Sequence, residues 1–373
     1  MADNRALLDY LEYVVYAERL SPRDRLARTA FRLLSHVYRI GLWFYLLAFR
    51  IGLRRRQHLP IPVVSIGNIT VGGTGKTPMT RYVCEGLVFR GWKPAVLSYG
   101  YGGSRDGEFC VVSTPQEVLR SAAEVGDEPL MLAAKLQGVP VLVGKHRYES
   151  GMHAAGELDS NVVVMDDGFQ VWKLHRDLNI VLVDGTNPFD NGRVLPAGRL
   201  REPVSALRRA DCVIVTGLEP EDDALAEVTA KIVRVAPRVP VFSARHTPVM
   251  LYAVEGGAEI SVESLHGQQV FALSSIAHPA SFERTLSGTG AGLAGCERYP
   301  DHHSYTQDDV RRVENRAREC GAEFVVTTEK DAVKLEGMHM ELPFLALGTR
   351  LSISDEDGLW EIVGSALPGR SLN

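Results

Sequence analysis

The apolar run Ile61-Pro62-Val63-Val64-Ser65-Ile66 is followed by Val71-Gly72-Gly73-Thr74-Gly75-Lys76-Thr77-Pro78. No other stretch narrows the architecture of this chain as far. A strand, a glycine-rich turn and helix-compatible sequence in that order form a βα unit whose turn grips phosphate. The glycines let backbone N–H groups converge on an anion at a helix N-terminus. Lys76 supplies a point charge for the β/γ end of a nucleotide, and the Thr77 hydroxyl suits Mg²⁺. Pro78 falls in the first helical turn, where a missing N–H costs nothing. Gly72, Gly73, Thr74, Gly75, Lys76 and Thr77 are therefore the candidate nucleotide ligands. Thr70 stands where the usual pattern begins with glycine.

From residue 61 onward, short apolar runs alternate with longer mixed segments. Strands are predicted at 62–66, 94–98, 140–143, 162–165, 180–183, 212–216, 239–243, 270–274, 324–328 and 344–347. Helices are predicted at 79–90, 128–136, 281–286 and 307–320. Several strands are near-continuous in Val, Ile and Leu, as strands buried on both faces are. The pattern is α/β with a mostly parallel sheet, and ligands in such sheets sit at the carboxyl ends of strands. An acidic, proline-containing stretch at 219–224 suggests a boundary.

The other chemical signals cluster at predicted strand ends. Val162-Val163-Val164-Met165 runs into Asp166-Asp167-Gly168, roughly ninety residues beyond Lys76. That is where a metal-associated carboxylate belongs beside a phosphate loop. Asp127, in Gly126-Asp127-Glu128-Pro129, either caps a helix or takes a proton from an acceptor hydroxyl. Asp301-His302-His303 lacks further His or Cys at ligand spacing, so acid/base work suits it better than zinc. The arginine-bearing loop 191–203 suits an anionic ligand or solvent equally, and Ser98-Tyr99-Gly100-Tyr101-Gly102-Gly103 is either a flexible turn or a ligand contact.

The chain carries a formal net charge of −5, which does not suggest a nucleic-acid binder. Yet residues 1–60 hold eleven Arg against five acidic residues, so about +6, leaving about −11 for the rest. Within that basic segment lies Ile40-Gly41-Leu42-Trp43-Phe44-Tyr45-Leu46-Leu47-Ala48-Phe49, bracketed by Arg39 and Arg50 and followed by Arg54-Arg55-Arg56. The run is about half of the roughly twenty residues a spanning helix needs. Aromatic and aliphatic side chains between arginines suit a membrane interface. The competing expectation is a core helix. No cleavable signal peptide is expected from the acidic first fifteen residues. Five scattered cysteines without paired spacing argue against disulfides or zinc and for buried thiols in a reducing cytoplasm.

Taken together, these segments resemble the tetraacyldisaccharide 4'-kinase family, the lipid A 4'-kinases. The likeness rests on Gly67-Asn68 with the phosphate loop, Gly100-Tyr101-Gly102-Gly103, Gly126-Asp127-Glu128-Pro129 and Asp166-Asp167-Gly168-Phe169-Gln170. It continues through Arg176-Asp177-Leu178, Leu195-Pro196-Ala197-Gly198, Arg201-Glu202-Pro203, Pro300-Asp301-His302-His303 and Thr327-Thr328-Glu329-Lys330-Asp331. The resemblance implies a P-loop NTPase-like core at 59–218, an N-terminal membrane-associated helical segment at 1–58 and a smaller C-terminal α/β lobe at 219–373. It implies transfer of the γ-phosphate of ATP, with Mg²⁺, to the 4'-hydroxyl of a tetraacyldisaccharide 1-phosphate. Asp127 would be the base, assisted by His302 with His303 as second choice. Lys76 would act on the phosphates, and Thr77, Asp166 and Asp167 at the metal. The partners implied are the lipid A disaccharide precursor and the anionic cytoplasmic face of the inner membrane, with no nucleic acid or protein partner.

The chain departs from the family pattern at three positions: Tyr99 where arginine is usual, Val171 where histidine is usual, and Arg199 where proline is usual. Two other classes share the phosphate loop. One is a membrane-bound ATPase switch, which needs no acceptor-facing Asp127 or His302. The other is a kinase or ligase acting on a small metabolite, with the N-terminal helix in the core.

Overall fold

The structure, a computed structural model, describes residues 10, 12–17, 19–100, 109–219, 221–276, 279–301 and 303–367. The first long element is α1, Pro22–Arg50, a helix of 29 residues. Ser21 caps it by accepting from the Asp24 amide, and Pro22 occupies its first turn. The apolar run at 40–49 is thus the C-terminal third of a longer amphipathic helix. Only Ser35 is buried along its length, while Leu33, Val37, Ile40, Trp43 and Phe44 are exposed. No described helix is long and apolar enough to cross a membrane.

Strands β1 (Val63–Asn68), β2 (Pro94–Ser98), β3 (Cys110–Ser113), β4 (Val141–Val143), β5 (Val162–Asp166), β6 (Leu178–Asp184) and β7 (Cys212–Thr216) follow. They form a sheet ordered β7-β6-β1-β5-β2-β4-β3, parallel except for β3. Between them run α2 (Lys76–Phe89), α3 (Asp127–Lys135) and α4 (Arg147–Gly156). β1 is central and buried at every residue, including Ser65 and Asn68 among its apolar residues, as a strand covered on both faces is.

The second half comprises α5 (Asp223–Val235), β8 (Val241–Ala253), β9 (Glu259–Ile260), β10 (Gln269–Ser274), α6 (Pro279–Ser287), β11 (Gly292–Arg298), α7 (Gln307–Glu319), β12 (Phe324–Thr328), α8 (Glu329–Leu335), β13 (Phe344–Ile353) and α9 (Glu356–Ala366). β8 joins the halves into one sheet. Its first residues pair parallel with β7, and the remainder pairs antiparallel with β13. β13, β12, β10 and β11 are parallel to one another. This second block runs against the first, so the carboxyl ends of both blocks point toward one cleft. Glu329, at the end of β12, accordingly meets Arg81 of α2 at 3.5 Å and Lys135 of α3 at 2.6 Å.

α9 returns to the first block. Leu359, Trp360 and Val363 share a core with Val83 and Leu87 of α2. Arg90 stacks over Trp360 at 3.9 Å, and Tyr82 donates to Glu356 at 2.8 Å. A cut at 218/219 would separate this helix from the core it covers. Of the cysteines, Cys84, Cys110 and Cys212 are buried, whereas Cys320 is exposed at the end of α7.

Candidate active site

β1 delivers the chain into the glycine-rich turn. Gly75, at φ 81°, provides the left-handed residue from which α2 starts at Lys76. Gly72 lies at φ 122°, a conformation that only glycine adopts without strain. Asn68 donates to the Thr74 hydroxyl at 2.9 Å, and the Thr216 hydroxyl at the end of β7 donates to the Thr74 carbonyl at 3.1 Å. Thr70 takes part in an antiparallel bridge with Leu200. The Val71 amide donates to the Arg199 carbonyl, and the Arg201 amide to the Ile69 carbonyl, each at 2.7 Å. Here the chain is a short strand pair, which explains why the position carries threonine and needs no glycine.

The acidic strand end meets this loop. Lys76 Nζ lies 3.8 Å from Asp167 Oδ1. Arg201 grips both oxygens of Asp167 at 2.9 and 2.8 Å. Asp167 itself sits at φ 57°, a conformation that Asp tolerates better than most residues. Asp166 is 3% exposed and accepts from Thr80 at 3.2 Å. Desolvation, reinforced by the charge of Glu128, pushes its carboxyl up to about 7. The two adjacent aspartates thus have different surroundings: Asp167 is clamped by cations, and Asp166 is buried with little compensation.

A wider polar frame supports them. Gln170 donates to the Asn68 carbonyl at 2.9 Å and to Glu202 at 3.1 Å, and Arg209 holds Glu202 at 2.9 Å. Arg147, 5% exposed, donates to the carbonyls of Gly144, at 2.6 Å, and Ser98. Burial pushes its guanidinium down to about 10, opposed by the charges of Asp166 and Asp167. Arg147 also lies 5.9 Å from the Tyr99 ring, so a basic group borders the departure at Tyr99. A single arginine after a strand carries no sequence signal, and Arg147 went unread there. At Val171, the carbonyl accepts from Arg176 at 3.4 Å and the side chain packs against the core of β5 and Leu174.

Asp127 and Glu128 open α3 on the cleft, and with Lys330 and Lys334 of α8 they line a narrow cavity. Lys330 pairs with Asp301 at 3.0 Å. The cleft therefore sets carboxylates of the first block opposite lysines of the second. His302, like Tyr101, Gly102 and Gly103, lies outside the described residues. His303 lies 3.2 Å from Asp309 and stacks on Tyr299 at 4.4 Å. Asp309 also closes the capping box of α7 with Thr306. Burial would raise the Asp309 carboxyl, but hydrogen bonds from Thr306 and His303 outweigh it and hold it below its ordinary value. His303 thus has a structural partner in Asp309. A cavity of about 900 Å³ borders the C-terminal end of α3, lined by Lys135, Tyr252 and Glu329 among others, and includes no phosphate-loop residue.

The fold family implies Mg²⁺ beside the loop. No described group of three or more His, Cys, Asp or Glu residues is arranged to hold a metal alone. The Thr77 hydroxyl and the Asp166 carboxylate are hard oxygen donors of the kind Mg²⁺ takes together with nucleotide phosphates. The under-compensated burial of Asp166 suits a cation, whereas Asp167 is already neutralised by Arg201.

Comparison with known proteins agrees with this geometry. The model of the family described as Tetraacyldisaccharide-1-P 4'-kinase matches residues 27–368. A tetraacyldisaccharide 4'-kinase of Pelobacter propionicus is 39% identical over 350 residues, 94% of this chain and 95% of that protein. One of Geobacter metallireducens is 41% identical over 312 residues, 84% of this chain and 90% of its own length. The crystal structure of LpxK from Aquifex aeolicus in complex with ATP superposes with a TM-score of 0.73 at 29% identity, covering 91% of this chain and 99% of that one.

Proposed function

The chain belongs to the tetraacyldisaccharide-1-phosphate 4'-kinase family, and from that premise we propose how its residues divide the work. The reaction is ATP-dependent transfer of the γ-phosphate to the 4'-hydroxyl of a tetraacyldisaccharide 1-phosphate, a step of lipid A biosynthesis. Backbone N–H groups of Gly72, Gly73, Thr74 and Gly75 cradle the nucleotide phosphates, and Lys76 neutralises the β/γ end. Thr77 and Asp166 hold Mg²⁺, with Asp167 orienting Lys76 and Arg201 beside it. Bound there, Mg²⁺ supplies charge neutralisation at the phosphate oxygens. Asp127, on the same block as the phosphate loop and at the cleft, orients the acceptor hydroxyl and takes its proton, with His302 assisting. The acceptor oxygen forms its bond to the γ-phosphorus as the bond to the β–γ bridging oxygen breaks, leaving ADP.

The observation that carries this reading is the approach of Lys76 to Asp167 at 3.8 Å, with Asp127 at the cleft. Labelled ATP and a detergent-dispersed disaccharide 1-phosphate lipid test it. A labelled lipid is expected, whereas ATP hydrolysis without one would indicate the ATPase switch. Asp127→Ala should lower turnover by orders of magnitude, and full activity in that variant would remove the base assignment.

We further propose that α1 lies on the anionic inner-membrane surface, on its cytoplasmic side, and that 1–58, 59–218 and 219–373 act as anchor, nucleotide core and covering lobe. The exposed Leu33, Val37, Ile40, Trp43 and Phe44 support an interfacial helix over a core one. Deleting residues 1–56 should release the protein from anionic vesicles, and undiminished binding would refute the anchor.

A further inference from the structure

One departure from the family pattern lies against the phosphate loop. Segment 199–201 pairs with segment 69–71 through the Thr70–Leu200 bridge. Along a strand, successive side chains alternate between faces. Leu200 points inward, 1% exposed, packed in the same core as Ile69. Arg199 and Arg201 therefore project together on the opposite face, the one on which Arg201 grips Asp167. Arg199 is exposed, and its guanidinium lies against Gly72: a Cβ on that glycine would sit 3.2 Å from Nη2.

The backbone of Arg199 is fixed at both ends. Its carbonyl accepts from Val71 at 2.7 Å, and its amide donates to Asp190 at 3.0 Å. Asp190 in turn accepts from Tyr16 at 2.5 Å. The two neighbouring cations differ in availability. Lys76 and Arg201 both face Asp167, whereas the Arg199 guanidinium makes no ion pair with a described residue. It is an arginine with five donors, pinned through its backbone beside the glycine that opens the phosphate cradle.

We propose that Arg199 is a catalytic residue of this chain, an arginine supplied in cis to the transferring γ-phosphate. This rests on the kinase reading of the same site. As the acceptor oxygen bonds to phosphorus and the bridging oxygen departs with its electron pair, negative charge spreads over the equatorial oxygens. Arg199 donates hydrogen bonds to those oxygens and transfers no proton; the hydroxyl proton goes to Asp127. Preorganised donors of this kind stabilise the transition state more than the ground state.

Steady-state kinetics of the full-length chain with the disaccharide lipid test the proposal, after wild-type lipid phosphorylation has established the reaction itself. Arg199→Ala should lower kcat about 100-fold, with ADP affinity and the melting transition unchanged. Arg199→Lys keeps charge without the planar fork and should recover only part of the loss. Added guanidinium should restore turnover in Arg199→Ala and not in wild type. Unchanged kcat in Arg199→Ala overturns the proposal. So does a loss carried wholly by KM for the lipid, which would assign Arg199 to the acceptor's own phosphate.

Discussion

β1 and the C-terminal part of α1 are built from similar apolar residues and end in opposite circumstances. Every residue of β1 is buried between β5 and β6. In α1, Trp43 is 54% and Phe44 60% exposed, while Phe49 lies against the ring of Trp172 at 6.3 Å and two polar side chains tie the helix to the body. Ser35 donates to the Val194 carbonyl at 2.7 Å and Tyr38 to the Arg201 carbonyl at 2.8 Å. The hydrophobic effect drives both segments out of water. For β1 the chain supplies the cover, and its carboxyl end becomes a rigid platform for chemistry. For α1 it supplies only part of the cover: Leu42 and residues 45–49 are half-buried, while Ile40, Trp43 and Phe44 stay exposed. Both of these hydrogen bonds of α1 fall on the 194–201 loop that pairs with the phosphate loop.

Substitutions that separate chemistry, core and anchor sharpen this contrast. The largest expected effect is on chemistry: Lys76→Ala should lower turnover about 1,000-fold with the melting transition retained, as read by lipid phosphorylation and thermal unfolding. A comparable effect confined to stability is expected in the core. Trp360→Ala removes the α9 side chain packed on α2 and should cost about 3–5 kcal/mol, measured by denaturant unfolding.

A buried polar site ranks next. Asp309→Asn weakens the cap of α7 and should cost about 1–3 kcal/mol. The Asp309 carboxyl is held below its ordinary 3.8 in the folded state. Its stabilisation is therefore present above that value and lost as the pH falls through the folded pKa. The variant should lack that acid-dependent part in a pH series of unfolding curves. The smallest stability change is expected on the exposed face of α1, the proposed anchor. Trp43→Asp with Phe44→Asp should shift stability by no more than about 0.5 kcal/mol while abolishing vesicle flotation. A core-sized loss of stability there would erase the distinction between the two regions.

Much of the parallel sheet was legible because its strands are short, apolar and buried on both faces. The expectations at 94–98, 212–216 and 324–328 coincide with β2, β7 and β12. β11 was missed because Gly292 and Gly295 break its apolar run. The length of β8 was missed because Pro248 argues against a strand; it sits at a register shift opposite Thr349, where a missing N–H is tolerated. α5 fell within and beyond the stretch read as a boundary, and α4, α8 and α9 were not predicted. At the site, Lys76, Thr77, Asp127, Asp166 and Asp167 were legible from motif and strand-end position. The unequal surroundings of Asp166 and Asp167 were not, because they depend on Arg201, Thr80 and Glu128 arriving from other segments.

By itself the sequence determined the phosphate loop, the parallel α/β framework and the amphipathic basic helix, because each is a local pattern of residue type and spacing. Tertiary structure alone decided that β8 fuses two parallel blocks into one sheet and that α9 returns to the nucleotide core. It also turned His303 toward Asp309 and brought Arg199 against Gly72. These outcomes depend on pairing between segments distant in the chain, where burial, strand alternation and charge compensation act among groups that no local pattern brings together.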